Sequence, residues 1–557
     1  MRIAKHPFVF KLFPYGIAMG SLLAVDIILI LGIFDNPLRA TLLDFKIIFP
    51  GILITGMAGL ILCQPIYRKI LQIFSRFFKY EFPSESQLYK PKTLDRALYF
   101  HLILTIILLF INTKMLYQFS DLSRSSDDTV DFILGSAKNP LTLDFWTAYK
   151  PPLLPLLIRM LGYTSGDPLN HKLLDDVAKI QLTISAAAWT ILALSIVLYL
   201  KERFAKITAI LVVLFFSASL DISLWDRLTL SESLSLSFFA LWLASLSLIM
   251  LIFNKPIRNP WIQTGFLIIF IITTFFYANA RDTNIYFVAM TIALLVTWVI
   301  IFKQINLLNQ KFFLLVVLST AILFLYHSYI YDISNRWHPV IMDVMTDRLS
   351  TNIDAISFFE ESGMPTVKAI LGKTSYNDFH SFLDSKRFQV VEDDPTDMFN
   401  AWFINNGKKI YISYLLHNPI TTIIEPLKSW KLMLLENNYI YREANGSISM
   451  RIIWLTRLFF PYNQTILLFL CLFLLCFFAI ALRKDLASNP LWFIISSLLL
   501  TIPPLMILIW VGGSLEIPRH AFQVSLQFRL ALWIGLILGV DFMIGTRWFS
   551  KQLESLE

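Results

Sequence analysis

Runs of about twenty apolar residues recur from one end of this chain to the other, and nothing else constrains its fold as tightly. A bilayer offers no water to unpaired backbone groups, so a segment inside it must be helical or part of a closed barrel. Twenty residues is the helical length, whereas a crossing strand needs about half that. Hydropathy predicts about twelve spans, at roughly 12–34, 47–66, 97–117, 181–200, 206–225, 231–253, 262–280, 284–302, 312–329, 463–482, 490–512 and 524–545. The composition agrees. The 557 residues are 56% hydrophobic and 15% charged, with 48 Phe and 14 Trp, and the mean hydropathy is +0.63. Soluble domains carry about a quarter charged residues. The expected fold is an all-α polytopic membrane protein.

Charge then orients the spans. Lys and Arg crowd the N-terminus (Arg2, Lys5, Lys11), the segment from Arg68 to Arg96, and alternate loops further on, through Lys201, Lys255, Lys303, Arg483 and Arg547. The intervening loops carry few, such as Arg39, Arg227, Arg281 and Arg519. Positive loops stay cytoplasmic, which puts both termini inside the cell. The net charge of +8 is accounted for by topology and needs no nucleic acid. The basic start MRIAKHPFVFK leads into an apolar run without a small-residue cleavage site, so it reads as a retained anchor. Cys63, Cys471 and Cys476 all lie in apolar runs and say nothing about redox compartment.

Four regions follow: two N-terminal spans with a basic cytoplasmic loop (1–96), a core of spans (97–329) holding a first large outer loop (118–180), an outer, mostly helical domain (330–462), and C-terminal spans (463–557). Both large insertions fall on the extracytoplasmic side. The first contains SDLSRSSDDTVDFILGSAKNPLTLDFWTAYKPPLLPLLIRMLG, from Ser120 to Gly162. A connection between spans needs only a few residues, and a long patterned loop is usually functional.

Three constellations could carry chemistry. In Asp127-Asp128, like charges and desolvation raise the pKa of at least one carboxyl, which suits it to take a proton from a hydroxyl. The blander alternative is a solvated loop, with Ser126 or Asp127 capping the helix VDFILGSA. In Tyr149-Lys150-Pro151-Pro152, the prolines stiffen the backbone and start a helix at LLPLLIRML, holding Lys150 ready for a phosphate. The blander alternative is a lysine snorkelling at a membrane entry point. Finally, charge gathers at the outer ends of later spans: Asp221, Asp226 and Arg227; Glu232 in LSESLSLSFFALWLA; Arg281-Asp282 in YANARDTNIYF; Glu516, Arg519 and His520 in SLEIPRHAF; and Arg529 within the last span. Ionisable groups at that depth are expensive and usually face a polar cavity, although each alone would also serve as an internal ion pair. The sequons at Asn445 and Asn463 are short and common signals. No zinc-type histidine spacing and no Gly-rich phosphate loop occurs. Outer carboxylates leave Mg²⁺ or Mn²⁺ open.

The order of these elements resembles the GT-C class of integral-membrane glycosyltransferases, in its aminoarabinose and protein mannosyl transferase branch. The resemblance rests on an acidic pair opening the first outer loop, an amphipathic helix, a Lys-Pro-Pro-Leu stretch, LSESLSLSFFALWLA, YANARDTNIYF and Glu-x-x-Arg-His, over most of 97–330 and 490–545. It departs in having Asp-Asp rather than Asp-Glu, in two extra leading spans, and in the domain at 330–462. The resemblance implies a hexosyl- or pentosyltransferase of the cell envelope, in the inner (plasma) membrane. It implies a polyprenyl-phosphate-linked sugar donor and an extracytoplasmic glycan, lipid or protein acceptor. Asp127 would be the general base and Asp128 would tune it or hold a metal or sugar. Lys150, Arg281 and Arg519 would bind the lipid phosphate, with Tyr149, Glu232 and His520 completing the substrate site. The alternative reading is a twelve-helix transporter or flippase, for which the Pro503-Pro504 break in the eleventh span is the best sequence sign.

Overall fold

The computed structural model describes residues 92–116, 128–163, 171–254, 259–302, 310–371, 376–387, 398–435, 458–462, 489–514 and 516–545, with a few isolated positions, among them Asp26, Leu29, Ser125, Leu467 and Cys471. The expected spans 47–66 and 463–482, most of 12–34, Asp127 and both sequons lie outside the described residues.

The protein is an all-α, multi-pass membrane protein, with no strand among its described residues. The candidate crossing helices are α1 (Lys92–Leu116), α4 (His171–Val197), α5 (Arg203–Ser217), α6 (Ser231–Asn254), α7 (Pro260–Ala280), α8 (Asn284–Phe302), α9 (Gln310–Ile333), the broken pair α15 (Pro490–Leu500) and α16 (Ile502–Val511), and α17 (Phe522–Gly545). Among the described residues eight spans qualify by length and hydropathy, or nine if α5 and the short turns bent by 49° after it count as one. These nine correspond to nine of the twelve sequence-predicted spans. One helix is longer than hydropathy indicates: α4 begins at His171, since its polar first turns HKLLDDVAK belong to the same helix.

Between the spans lie α2 (Thr129–Ser136) and α3 (Leu153–Met160) in the first insertion. The second insertion holds α10 (Trp337–Val344), α11 (Ile353–Glu361), α12 (Tyr376–Arg387), α13 (Lys408–His417) and α14 (Pro419–Lys428), followed by a short turn, Trp430–Leu434.

Local chemistry explains the ends of several spans. Asn259 and Asn489 each accept a backbone N–H two residues on, with proline at the first helical position, so Asn-Pro starts both α7 and α15. Pro503 and Pro504 divide the eleventh predicted span. The helix restarts at Ile502, and the Thr501 hydroxyl donates to the Ser497 carbonyl at 2.7 Å.

Helix α6 is the axis of the bundle, packed most extensively on α4 and α7, while α17 packs on α5 and α15. Apolar residues from these spans form one large core, around Trp189, Trp242, Phe216 and Phe239. A second core, containing Trp337, Met345, Phe359, Phe399 and Phe403, belongs to the large insertion. Because successive spans alternate in direction, the end of α1, the starts of α4, α6 and α17, and the ends of α7, α9 and α16 share one rim. That rim carries both insertions. At the opposite rim, Asp541 in the last turns of α17 accepts the backbone N–H groups of Lys201 and Glu202, at 2.9 and 2.7 Å.

Candidate functional site

The insertion rim gathers charged side chains from five separate stretches of sequence. The first is the approach to α2. Asp128 stands at the N-cap position, but in helical backbone conformation, and its carboxylate does not cap its own helix. Thr129 fastens this point to the rim by donating to the Thr229 carbonyl at 3.2 Å. Helix α2 then lies against α3, with Gly135 facing Pro155 so closely that a Cβ would sit 3.3 Å from the proline ring. Pro152 caps α3, as its fixed backbone allows, and Lys150 is held just before it.

Two insertion elements thus deliver an acid and a base to one point. Lys150 Nζ lies 2.7 Å from Asp128 Oδ1 and 3.5 Å from Asp131 Oδ2, with the Tyr149 ring 5.0 Å away. The other Asp128 oxygen is 2.9 Å from Nη1 of Arg519. Arg519 also donates to Glu232 Oε1 at 2.6 Å and to Glu516 Oε2 at 2.7 Å. Arg281 Nη2 lies 3.9 Å from the same Glu232 oxygen and donates to His520 Nδ1 at 2.8 Å. Asp128, Lys150, Tyr149, Glu232, Arg281, Arg519 and His520 therefore form one continuous cluster. Each was singled out in the sequence. Asp127 lies outside the described residues.

The electrostatics of the cluster set the ionisation of Asp128. Burial opposes ionisation of its carboxyl, but Lys150 and Arg519 outweigh burial and hold it below the usual carboxylate range. The raised carboxyl expected of the Asp127-Asp128 pair is therefore not Asp128. Lys150 is pulled the other way: burial works against its charge, and Asp128 more than restores it. Arg519 is held firmly protonated by Glu232, Asp128 and Glu516 despite its burial. Burial, with Arg281 and Arg519 beside it, pushes His520 down to about 3. Geometry agrees. An arginine has no acceptor, so Nδ1 of His520 must accept and carry no proton.

Two further clusters flank this one. Asp282, next to Arg281, turns towards the end of α9 and the start of the large insertion, where its Oδ1 lies 3.5 Å from His327 Nε2 and 2.9 Å from Arg336 Nη1. Arg336 also donates to the carbonyls of Ala148 and Trp146, both at 2.8 Å, and so grips the stretch that ends in Tyr149-Lys150. On the bundle side, Lys114 at the end of α1 and Asp226 before α6 form a fully buried ion pair at 2.8 Å. Lys114 also donates to the Ser217 carbonyl, and Ser233 donates to Asp226 at 2.7 Å.

Strain marks the same places. Glu516 and Asn335 are the two non-glycine residues with positive φ among those described, at 49° and 53°. One immediately precedes the turn carrying Arg519, and the other precedes Arg336. Left-handed backbone in such residues costs about 1–3 kcal/mol and persists where surrounding contacts demand it.

The sequence reading missed Lys114, Asp131 and Arg336. A lysine in the apolar run LLFINTKMLY was a usable signal for the first. Nothing local marks Arg336, whose partners are about 54 and 190 residues away. Arg529 does not join the rim cluster. It clamps carbonyls of Leu434 and Pro461 at 2.8 Å, under the rings of Phe460 and Tyr462. Among the described residues no three His, Cys, Asp or Glu side chains are arranged to hold a metal ion. Comparison with protein-family models, with curated proteins and with solved structures finds no match.

Proposed function

We propose that this protein is a membrane glycosyltransferase of the GT-C type, moving a sugar from a polyprenyl-phosphate donor to an extracytoplasmic acceptor. One observation carries the reading. Acidic and basic side chains from the first insertion, α6, the α7–α8 turn and the turn before α17 meet in a single cluster at the bundle rim. A structural ion pair needs two partners, whereas this cluster brings four carboxylates, three strong cations and a neutral histidine to one largely buried spot.

In the proposed reaction an acceptor hydroxyl attacks the anomeric carbon and the carbon–oxygen bond to phosphate breaks. The electron pair leaves with the polyprenyl phosphate, and the configuration inverts. Lys150, Arg281 and Arg519 stabilise the charge on the departing phosphate. Asp128, held ionised by two cations, is a weak base. Its role is to position Lys150 and Arg519 and to yield them to the incoming phosphate. That leaves Asp127 as the base on the acceptor.

Asp127→Asn and Asp128→Asn proteins, purified in lipid nanodiscs, test this. The reading expects loss of sugar transfer in Asp127→Asn with donor binding retained, reduced transfer in Asp128→Asn, and weaker donor binding in Lys150→Ala. Full transfer in Asp127→Asn would remove the proposed base. The Pro503-Pro504 break in the α15–α16 span favours a second reading, a carrier. A carrier would move its substrate across vesicles chemically unchanged.

A further inference from the structure

Helix α14 divides into three faces. One, with Thr422 and Pro426, turns into the protein and packs on α16, the half of its span nearest the insertion rim. A second, with Thr421, Glu425 and Lys428, is polar. The third carries Ile420, Ile423, Ile424 and Leu427, spaced i, i+3, i+4, i+7 on one side of the helix, and all four are exposed.

A soluble domain would turn such a stripe inwards. Here the inward face is the less apolar one, and the aliphatic stripe points away from the protein. Ile412 and Leu416 of the adjoining α13 are exposed as well, Leu416 at 75%, and so is Trp430, at 41%, just past the end of α14. Depth is set by the neighbours. The Tyr411 hydroxyl donates to the Val511 carbonyl at 2.6 Å, and Arg348 stacks on Trp510 at 3.9 Å, so α13 and α14 sit level with the end of a crossing helix. The exposed aliphatics on the crossing helices, such as Leu318 and Ile322 of α9, face lipid by the same geometry.

We infer that α13 and α14 form a lipid-binding surface, with the Ile420–Leu427 stripe buried among the acyl chains of the leaflet on the insertion side. Trp430 and Lys428 sit at the headgroup level, as an amphipathic ring and a cation do at such boundaries. The large insertion is then a half-embedded collar rather than a water-surrounded cap. The inference is independent of sugar transfer, because it follows from which side of a helix is bare.

The test is site-directed spin labelling in nanodiscs, in a background with Cys63, Cys471 and Cys476 replaced by Ser. Nitroxides are placed singly by Ile420→Cys, Ile424→Cys, Glu425→Cys and, as a lipid-facing reference, Leu318→Cys. Collision with dissolved oxygen and with a water-soluble nickel chelate is then measured. The inference expects labels at 420 and 424 to favour oxygen several-fold, as at 318, and the label at 425 to favour the nickel chelate. A nickel preference at 420 and 424 would place the stripe in water and overturn it. Poor access to both reagents there would mean that another segment or a second copy covers the stripe, and would overturn it equally.

Discussion

Arg519 and Glu232 are 287 residues apart in sequence and 2.6 Å apart in the folded protein, with each side chain almost wholly buried. The contact joins the turn before the last span to the first turn of the central helix α6, so it locks the rim as well as decorating it. Breaking such a pair by removing one partner costs about 3–5 kcal/mol, because the survivor stays buried and uncompensated. Arg519→Met should therefore lower the thermal midpoint sharply. The double variant Glu232→Gln/Arg519→Met should recover part of that loss. Simple additivity of the two single losses in thermal unfolding would show that the pair is not coupled.

The rim should also set a pH dependence. His520 is neutral in the folded state, with its pKa near 3, whereas an unfolded histidine titrates near 6.5. Between those values the unfolded chain binds a proton that the folded one does not, so stability falls as pH drops through this window. The slope from this one group is at most about 1.4 kcal/mol per pH unit. Asp128 behaves differently. Its folded pKa lies below the unfolded value, so its contribution is full above about pH 4 and fades only as pH falls through the lower folded value. Thermal unfolding from pH 7.5 to 4.5 should show a decline that His520→Gln flattens and Asp128→Asn does not.

Arg336 holds the first insertion to the second through the carbonyls of Trp146 and Ala148 and through Asp282. Hydrogen bonds involving a charged group are worth about 1.5–3 kcal/mol each. Arg336→Gln should loosen residues 143–150 before anything else. Hydrogen exchange in that stretch should accelerate, while the core of α6 stays protected. Unchanged exchange at 143–150 would mean that the packing of α2 on α3 alone positions Lys150.

How much of this was legible in the sequence depends on the range of the forces involved. Nine of the spans were, because a bilayer imposes a length and an apolarity that twenty consecutive residues display on their own. The turn at Pro151-Pro152 was, because proline acts locally. Glu232, Arg281 and Arg519 stood out because charge at a span end is costly wherever it occurs. Their partners were not legible: no local rule links Arg519 to Asp128, or Arg336 to Ala148. Which carboxyl of the Asp127-Asp128 pair would be lowered was not legible for the same reason. The sequence neighbour of Asp128 is an acid, but the groups that decide its ionisation, Lys150 and Arg519, come from 22 and 391 positions further along the chain. The exposed side of α14 was equally hidden, since an i, i+3, i+4 stripe reads the same whether it faces a core or a lipid.

Lys114 offers a test within the bundle. Its pair with Asp226 is fully buried and ties α1 to the segment before α6. Lys114→Met should leave Asp226 stranded and destabilise by about 3–5 kcal/mol. Lys114→Met/Asp226→Asn should restore much of that, read as the midpoint of unfolding in detergent. A Lys114→Met protein as stable as the parent would show that the pair carries no net stabilisation.

The central claim, sugar transfer at the rim cluster, is tested most directly by lipid analysis of cells from which this gene has been removed. A polyprenyl-phosphate-linked sugar should accumulate. Restoring the native gene should clear it, and restoring the Asp127→Asn/Asp128→Asn form should not. A polyprenyl lipid profile identical to that of the parent cells would contradict the account.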